Sequence, residues 1–371
     1  MTRVGITGQA GFIGYHLWCA LRRRSDILET VDFEDAWYAD EYRLARFVEQ
    51  TDVIVHLAGM NRGDPDEIYR TNLALTEKLI VALQKTRRAP RIIFASSTQR
   101  TLDNPYGRSK RKAEELLETW SKEHTANVTT LVIPNVFGPF GRPFYNSVVA
   151  TFCHQLTHGE IPQIHVDAEM PLVYVGDLVE RICGLIVEPP PSSMTVQILP
   201  TGVSAVSGVL TKLRGYQEMY LGKAMVPDLR EPFDLALFNT FRSYIDEEFF
   251  PFKFDMKADS RGHLVETIKS WSGGQAFFSV TRPGVVRGNH YHTRKFERFA
   301  VVSGSALICM RRIGTSRVIE YPVSGDEPSC VDLPVLFTHN IENTGKNDLL
   351  TLFWTNEFFD PQNPDTFAEK V

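Results

Sequence analysis

Residues 283–304 read PGVVRGNHYHTRKFERFAVVSG. His290 and His292 stand two positions apart, Glu297 follows after four more residues, and glycines at 284 and 304 bracket the set. Side chains at i and i+2 of a strand leave the same face, so a strand over GNHYH aims both imidazoles into one cavity. The turn and strand that follow bring Glu297 to the same place. A further imidazole, His339, lies in PVLFTHNIEN (334–343). Neutral imidazoles with one carboxylate suit a divalent transition metal such as zinc, nickel or iron. His290, His292, Glu297 and His339 are therefore the candidate metal ligands.

Around this stretch, short runs of alternating polarity separated by Gly and Pro predominate. Upstream, 188–198 (EPPPSSMTVQI) and 225–235 are proline-rich, and helix signals fade after RSYIDEE (242–248). The reading therefore divides the chain into domains at 1–248 and 249–371, the second long enough for a small antiparallel barrel or sandwich. The 371 residues are 43% hydrophobic and 23% charged, which leaves room for two domains. A net charge of -5 gives no reason to expect nucleic acid or an anionic membrane as partner. No apolar run is long enough to span a bilayer, and Met1 leads straight into VGITG instead of a signal peptide. The five cysteines are scattered without CxxC spacing, the pattern of buried free thiols in a reducing compartment. The expectation is a cytoplasmic protein with a small-molecule substrate.

The amino-terminal half opens with RVGITGQAGFIG (3–14), a short apolar strand followed by Gly8, Gly11, Phe12, Ile13 and Gly14, and then the helical YHLWCALRRR (15–24). Glycines at a strand-to-helix turn let the backbone approach a pyrophosphate lying on the positive helix N-terminus. A second strand, ILETVDF (27–33), carries Asp32, with Glu34 just beyond. These acids suit an adenine ribose diol and repel a 2′-phosphate, which favours NAD over NADP; they suit a solvated loop equally. The third strand, DVIVHLAG (52–59), is apolar throughout its centre and ends at Leu57, Ala58 and Gly59, where a dinucleotide lies close to the backbone. Asn72 sits in the helix after it. RIIFASS (91–97) ends in hydroxyls and is followed by NPYGRSK, with Tyr106 and Lys110 one helical turn apart. An ammonium so placed lowers a tyrosine pKa and helps it exchange a proton with a substrate oxygen. Ser97, or its neighbours Ser96 and Thr98, orients that oxygen.

TGxxGFxG, the HLAG strand end, the serine pair and YxxxK together resemble the extended short-chain dehydrogenase/reductases, many of which act on nucleotide sugars, over residues 1–245. The resemblance implies a Rossmann α/β fold with Tyr106 as general acid. It implies Lys110 holding the nicotinamide ribose, and Ser97 positioning a keto oxygen. It also puts Asn135 of IPNVFGP and the Tyr145-Asn146-Ser147 run on the substrate side; residue by residue, PNVFGP also reads as a loop turn and YNS as a helix cap. PLVYVGD (171–177) reads as a strand before a helix. Sugar 4,6-dehydratases carry an acidic pair where SSTQR stands here, and that class is rejected.

The spacing Gly284, His290-x-His292, Glu297, Gly304, followed by Gly325, Pro334, His339 and Asn343, resembles the cupin superfamily over 250–371. It implies an all-β jelly-roll barrel with the four ligands around one metal, zinc foremost. ADSRGHLVE (258–266) and VVRGNHYH (285–292) are similar to segments of cupin-class deoxysugar 3,5-epimerases, in which the RGxH histidine takes a proton beside a keto group. Here that residue is His290, which the metal motif claims as well. Arg261 and Glu266 form either a barrel salt bridge or a sugar or phosphate contact. The pairing of domains, with FWTNEFFDPQNPDTF (353–367) and YNSVVATFCHQ (145–155), resembles bifunctional capsule and O-antigen precursor enzymes of the CapF, WbjC and FnlB type. That resemblance implies C3 epimerisation of UDP-2-acetamido-2,6-dideoxy-hexos-4-ulose on the cupin. NADPH-dependent reduction of the C4 ketone follows, to the L-talo sugar that leads to N-acetyl-L-fucosamine. The alternative is a monofunctional 4-ketoreductase with a structural or dimerising cupin. Two departures stand out: acids where a NADPH-binding base is expected, and Val132 and Ile133 where an arginine is expected. A homodimer is the default assembly.

Overall fold

Short strands apolar on both faces need helices above and below them, and the first half of the chain supplies this alternation. In the computed structural model, which describes residues 1–371, the order is β1 (Thr2–Thr7), α1 (Phe12–Arg22), β2 (Leu28–Val31), α2 (Glu41–Gln50), β3 (Val53–His56), α3 (Pro65–Thr86), β4 (Arg91–Ser97), α4 (Pro105–His124) and β5 (Val128–Ile133). There follow β6 (Asn135–Phe137), α5 (Val148–Thr157), β7 (Glu169–Tyr174), α6 (Val175–Val187), β8 (Met194–Gln197) and β9 (Gly202–Ala205). The main sheet runs β2-β1-β3-β4-β5-β8, every neighbour parallel. One face packs Leu17 and Leu21 of α1 and Val179 and Ile182 of α6 against Val4 and Ile6. The other packs Phe47, Leu79, Leu83, Leu117 and Trp120 against Ile54, Ile92 and Phe94. Asp64 and Asn104 cap α3 and α4, each followed by a proline at the first helical position.

Strand order reverses between β1 and β3, which places a ligand crevice at their carboxyl ends. Two local expectations change. PNVFGP is not a loop turn: Asn135–Phe137 pairs in parallel with β7, because the apolar Val136 and Phe137 find a sheet partner in Val173 and Tyr174. PLVYVGD is strand only to Tyr174; α6 begins at Val175.

The rest of the chain comprises α7 (Val206–Tyr216), β10 (Met225–Val226), α8 (Pro232–Arg242), β11 (Phe252–Lys253), β12 (Met256–Asp259), β13 (Gly262–Val265), β14 (Lys269–Ser270), β15 (Gln275–Thr281), β16 (Val286–Tyr291), β17 (Glu297–Ser303), β18 (Ser305–Arg312), β19 (Val318–Ser324), β20 (Ser329–Leu333), β21 (Phe337–Asn343), β22 (Leu349–Thr355) and β23 (Phe367–Ala368). Two five-stranded antiparallel sheets, β11-β20-β17-β22-β15 and β19-β18-β21-β16-β23, enclose a core of Phe299, Val301, Ile308, Met310, Val331, Ile341 and Phe353. This is the expected all-β barrel.

Secondary structure changes type after Arg242, near residue 248, but packing groups the chain differently. One compact unit holds 1–137, 141–148 and 168–205; the other holds 138–140, 149–167 and 206–371. The helices α7 and α8 thus belong with the barrel. Arg298 of β17 is buried and pairs with Asp332 of β20 at 2.7 Å. Tyr220, just after α7, donates to the same carboxylate at 2.6 Å. Arg242 of α8 donates to the Leu333 carbonyl at 2.7 Å. All five cysteines are free, four of them buried. No helix is long and apolar enough to cross a membrane.

Candidate active site and candidate metal centre

In the first unit, Gly8 adopts φ +72°, and a Cβ there would lie 2.9 Å from the Ala58 amide nitrogen. A Cβ on Gly14 would lie 2.2 Å from the Gly8 carbonyl oxygen. Bare backbone at both positions lets the β1–α1 turn fold tightly against the end of β3. Gly11 stands at the α1 N-cap in extended conformation with no side chain over the first-turn amides, leaving these to an anion. Phe12, Ile13 and Leu57 pack on the core beneath. Asp32 and Glu34 are exposed just beyond β2. At the far end of this cradle, a Cβ on Gly59 would meet Asn72 Oδ1 at 3.3 Å and Lys110 Nζ at 3.5 Å. Asn72 is buried, and its amide is spent on the Met60 backbone and on Ser109, at 2.6–3.0 Å. It holds the loop after β3 in shape. The glycine cradle, the open helix end and the acids beyond β2 fit a dinucleotide.

Tyr106 and Lys110 enter on the first turns of α4 beside the end of β4. Lys110 is buried, donates to the Ala95 carbonyl at 2.8 Å and lies 5.6 Å from the Tyr106 ring centre. Burial pulls its pKa down to about 8, with Glu114 opposing. Burial pushes the Tyr106 phenol up to about 12, opposed by a hydrogen bond with Ser97, with Tyr145 adding to the rise. The expected lowering comes from Ser97 and not from Lys110, whose ammonium is committed to the Ala95 carbonyl, and desolvation dominates it. Of the serine pair, Ser96 bonds Glu114, whereas Ser97 bonds Tyr106 and accepts from the Gln99 amide at 3.2 Å. Ser97 is thus the one at the tyrosine. Asn135 is exposed at the start of β6. Tyr145 accepts on its carbonyl from Arg62, and the Arg142 guanidinium lies 5.2 Å over its ring. Asn146 is exposed and Ser147 half-buried before α5. Arg62 and Arg142, the cations beside Tyr145, were not singled out by the sequence; lone loop arginines carry no spacing signal.

In the second unit, β16 carries a bulge between Gly288 and His290, with Gly288 at φ +101° and Asn289 at φ +60°. His290 then pairs with His339 of β21, and Glu297 opens β17. Glu297 Oε2 is 2.9 Å from His292 Nε2, 3.2 Å from His339 Nε2 and 3.8 Å from His290 Nε2. The four ligand atoms all lie within 4.8 Å of one another. His292 Nδ1 donates to the Asp365 carbonyl at 2.5 Å and His339 Nδ1 to the Phe337 carbonyl at 3.1 Å, so both Nε2 atoms face the centre. Burial would raise Glu297, but the three imidazoles around it hold it well below the usual carboxylate range. Burial lowers His339, only partly offset by Glu297. Burial also disfavours charge on His292, yet hydrogen bonding to Glu297 leaves it raised. Three imidazoles and one anionic carboxylate fit a divalent transition metal. His292, Glu297 and His339 are buried, whereas His290 is half-buried.

Arg261 and Glu266 do not pair with each other. Arg261, at the tip of the exposed β12–β13 hairpin, bonds Asp259 at 2.6 Å, and Glu266 bonds Lys269 at 2.8 Å; each finds a nearer opposite charge. Sequence reading gave no role to Asp365. It is buried, and its carboxylate takes the amides of Thr293, Arg294 and Lys295. An Asp directly after Pro in NPDT was the available signal.

Glycine cradle, Tyr106–Ser97–Lys110 set and parallel sheet together define a class. The chain belongs to the NAD dependent epimerase/dehydratase family, whose model matches residues 4–194. Residues 257–367 match the polysaccharide biosynthesis C-terminal domain. In particular, the chain is 35% identical over 374 residues to a UDP-2-acetamido-2,6-beta-L-arabino-hexul-4-ose reductase of Pseudomonas aeruginosa, covering 100% of this chain and 99% of that one. It is similar over 100% of both chains to the capsular polysaccharide assembling protein CapF of Staphylococcus aureus, at 34% identity and a TM-score of 0.64. RMD of Pseudomonas aeruginosa, solved with NADPH, shares the first-domain fold at 20% identity, covering 59% of this chain and 83% of that one with a TM-score of 0.53.

Proposed function

We propose that the chain is a bifunctional UDP-sugar enzyme. Its barrel inverts C3 of UDP-2-acetamido-2,6-dideoxy-hexos-4-ulose. Its Rossmann unit reduces the C4 ketone with NADPH or NADH, giving UDP-2-acetamido-2,6-dideoxy-L-talose for capsule or O-antigen synthesis. The observation that carries this reading is the presence, on one chain, of a Tyr106–Ser97–Lys110 reductase set and a four-ligand His/Glu centre. The name of the Pseudomonas relative, a reductase of a 4-keto sugar, supports the reductive half.

When bound, the nicotinamide supplies hydride to C4. Gly8, Gly11, Phe12, Ile13, Asp32, Leu57 and Ala58 line the cradle for its dinucleotide, and Asn72 keeps the wall by Lys110 in place. Ser97 orients the keto oxygen and Tyr106 protonates it; a phenol pushed up to about 12 stays protonated, as an acid must, throughout the neutral range. Asn135, Tyr145, Asn146 and Ser147 hold the sugar side on the Rossmann unit; on the barrel, separately, Arg261 offers a cation to the substrate phosphate. On the barrel, a bound zinc or similar ion supplies a Lewis acid for the enolate oxygen. The C4 ketone acidifies the C3 hydrogen, so a base that removes it from one face and a solvent-derived proton returned to the other complete the inversion. His290, the half-buried member and the farthest from Glu297 at 3.8 Å, is placed to move that proton while the other three hold the ion. A homodimer goes with this reading: β15 sits at a sheet edge and exposes Phe278 and Val280, a surface that association would cover.

The deciding experiment is NMR of the product formed from the 4-keto UDP-sugar with NADPH or NADH, with and without chelator, alongside C3 deuterium exchange in heavy water. The reading expects a C3-inverted alcohol and exchange that His290→Asn removes while metal content is kept. Reduction without inversion, or exchange unchanged in His290→Asn and Glu297→Gln, would establish the alternative of a monofunctional 4-ketoreductase with a structural barrel.

A further inference from the structure

We infer that Asp365 is the positioning residue of the metal centre, acting through the loop between His292 and Glu297; this rests on the reading of those residues as metal ligands. The loop leaves a run of backbone amides pointing the same way. The Asp365 carboxylate fills the concavity. Oδ2 accepts from Arg294 N at 3.0 Å and Lys295 N at 2.8 Å. Oδ1 accepts from Thr293 N at 3.0 Å and from the Thr293 hydroxyl at 2.6 Å. Consecutive amides gathered on one anion are a strong local constraint.

The same residue acts a second time through its backbone. Its carbonyl accepts the His292 Nδ1 proton at 2.5 Å, which fixes the ring with Nε2 turned to the centre; there it bonds Glu297 at 2.9 Å and would offer its lone pair once a metal displaced that proton. Asp365 does this from φ +42°, a left-handed conformation that costs an aspartate little and a bulkier residue more. It is 2% exposed, so its carboxylate has no other role facing solvent. The loop is held to the same tail at further points: Arg294 pairs with Glu357 at 3.0 Å and Lys295 Nζ reaches the Pro364 carbonyl at 2.5 Å. Outer groups that orient ligand histidines typically set metal affinity by 10- to 100-fold.

Asparagine at 365 keeps the shape but turns one acceptor oxygen into a donor. Whichever way the amide lies, an N–H then faces an N–H of the loop. The test uses the full-length protein and Co2+ as probe, read by its ligand-field absorption and by competition with a chromophoric chelator. Asp365→Asn is expected to weaken Co2+ by about 10- to 100-fold and to shift the absorption bands. Thr293→Val, which removes only the hydroxyl bond, is expected to weaken it by a smaller factor and keeps the test available should Asp365→Asn not fold. NADPH binding by the same proteins reports whether the first unit is intact. Wild-type affinity and spectrum in a folded Asp365→Asn protein would overturn the inference, as would wild-type Co2+ binding in Thr293→Val if Asp365→Asn aggregates. If the wild type itself takes up no Co2+, the metal reading falls and this inference with it, an outcome distinct from wild-type uptake that the variants match.

Discussion

At the scale of single residues, the reductase set is two groups driven in opposite directions by the same burial. Desolvation disfavours the charged form, so it raises the Tyr106 phenol to about 12 and lowers the Lys110 ammonium to about 8. The tyrosine therefore keeps its proton where the lysine begins to lose its own. The value of kcat/KM for ketone reduction, which reports the free enzyme, should fall as pH rises through about 8. The limb belongs to Lys110 and should vanish in Lys110→Met; a profile flat to pH 9 would sink the assignment. Tyr106→Phe should lower kcat by about 100- to 10,000-fold with NADPH affinity nearly unchanged, as stopped-flow and fluorescence titration would show. These residue types were legible because YxxxK and HxH are short-range spacings. Which serine meets the tyrosine was open from the residues alone, since Ser96 and Ser97 differ only in the face of β4 each occupies; only the family resemblance chose Ser97.

At the scale of elements, local chemistry and distant packing divide the account. The β1–α1 turn was readable because glycines mark where side chains cannot go. The space around Gly14 makes that concrete: an added Cβ would sit 2.2 Å from the Gly8 carbonyl. Overpacking of this kind costs about 1–3 kcal/mol, so Gly14→Ala should weaken binding of NADH or NADPH, whichever the wild type takes, by roughly 5- to 150-fold, measured by calorimetry. The bulge in β16 was invisible, because GNHYH reads as a plain strand and only the partner β21 reveals the extra residue. Buried His56 of β3 was read only as part of an apolar run. Its ring bonds Thr7 at 2.7 Å, and burial, helped by nearby Lys110, brings its pKa down to about 3. Between pH 6.5 and about 3 the unfolded chain takes up a proton that the folded chain refuses, so this contribution to stability is lost as pH falls across that window. Each pH unit inside it costs about 1.4 kcal/mol. Urea melts from pH 7 to 4 should show a shallower acid loss in His56→Asn than in the wild type.

At the scale of the whole molecule, composition and turn signals pointed to two domains, and a change of secondary structure does fall near residue 248. What strand and helix periods do not encode is which helices a barrel recruits. Tyr220 and Arg242 reach Asp332 and Leu333 across separations of 112 and 91 residues, and nothing at either end announces the other. Arg298 is held above its usual pKa by Asp332 despite burial, so the guanidinium stays charged inside the second unit. Removing one partner strands a buried charge. Asp332→Ala should therefore cost about 3–5 kcal/mol, whereas Arg298→Met with Asp332→Leu should cost far less, a contrast that thermal melts of the full chain would reveal. Separation along the chain also has a consequence in time. All four candidate metal ligands have been synthesised once the ribosome passes His339, but Asp365 lies 70 residues beyond Lys295. At about 5–20 residues per second, the ligand loop waits roughly 4–14 s for its anion. A nascent chain therefore carries all four side chains before Asp365 can hold their loop in order, and the candidate centre takes its final shape late in synthesis.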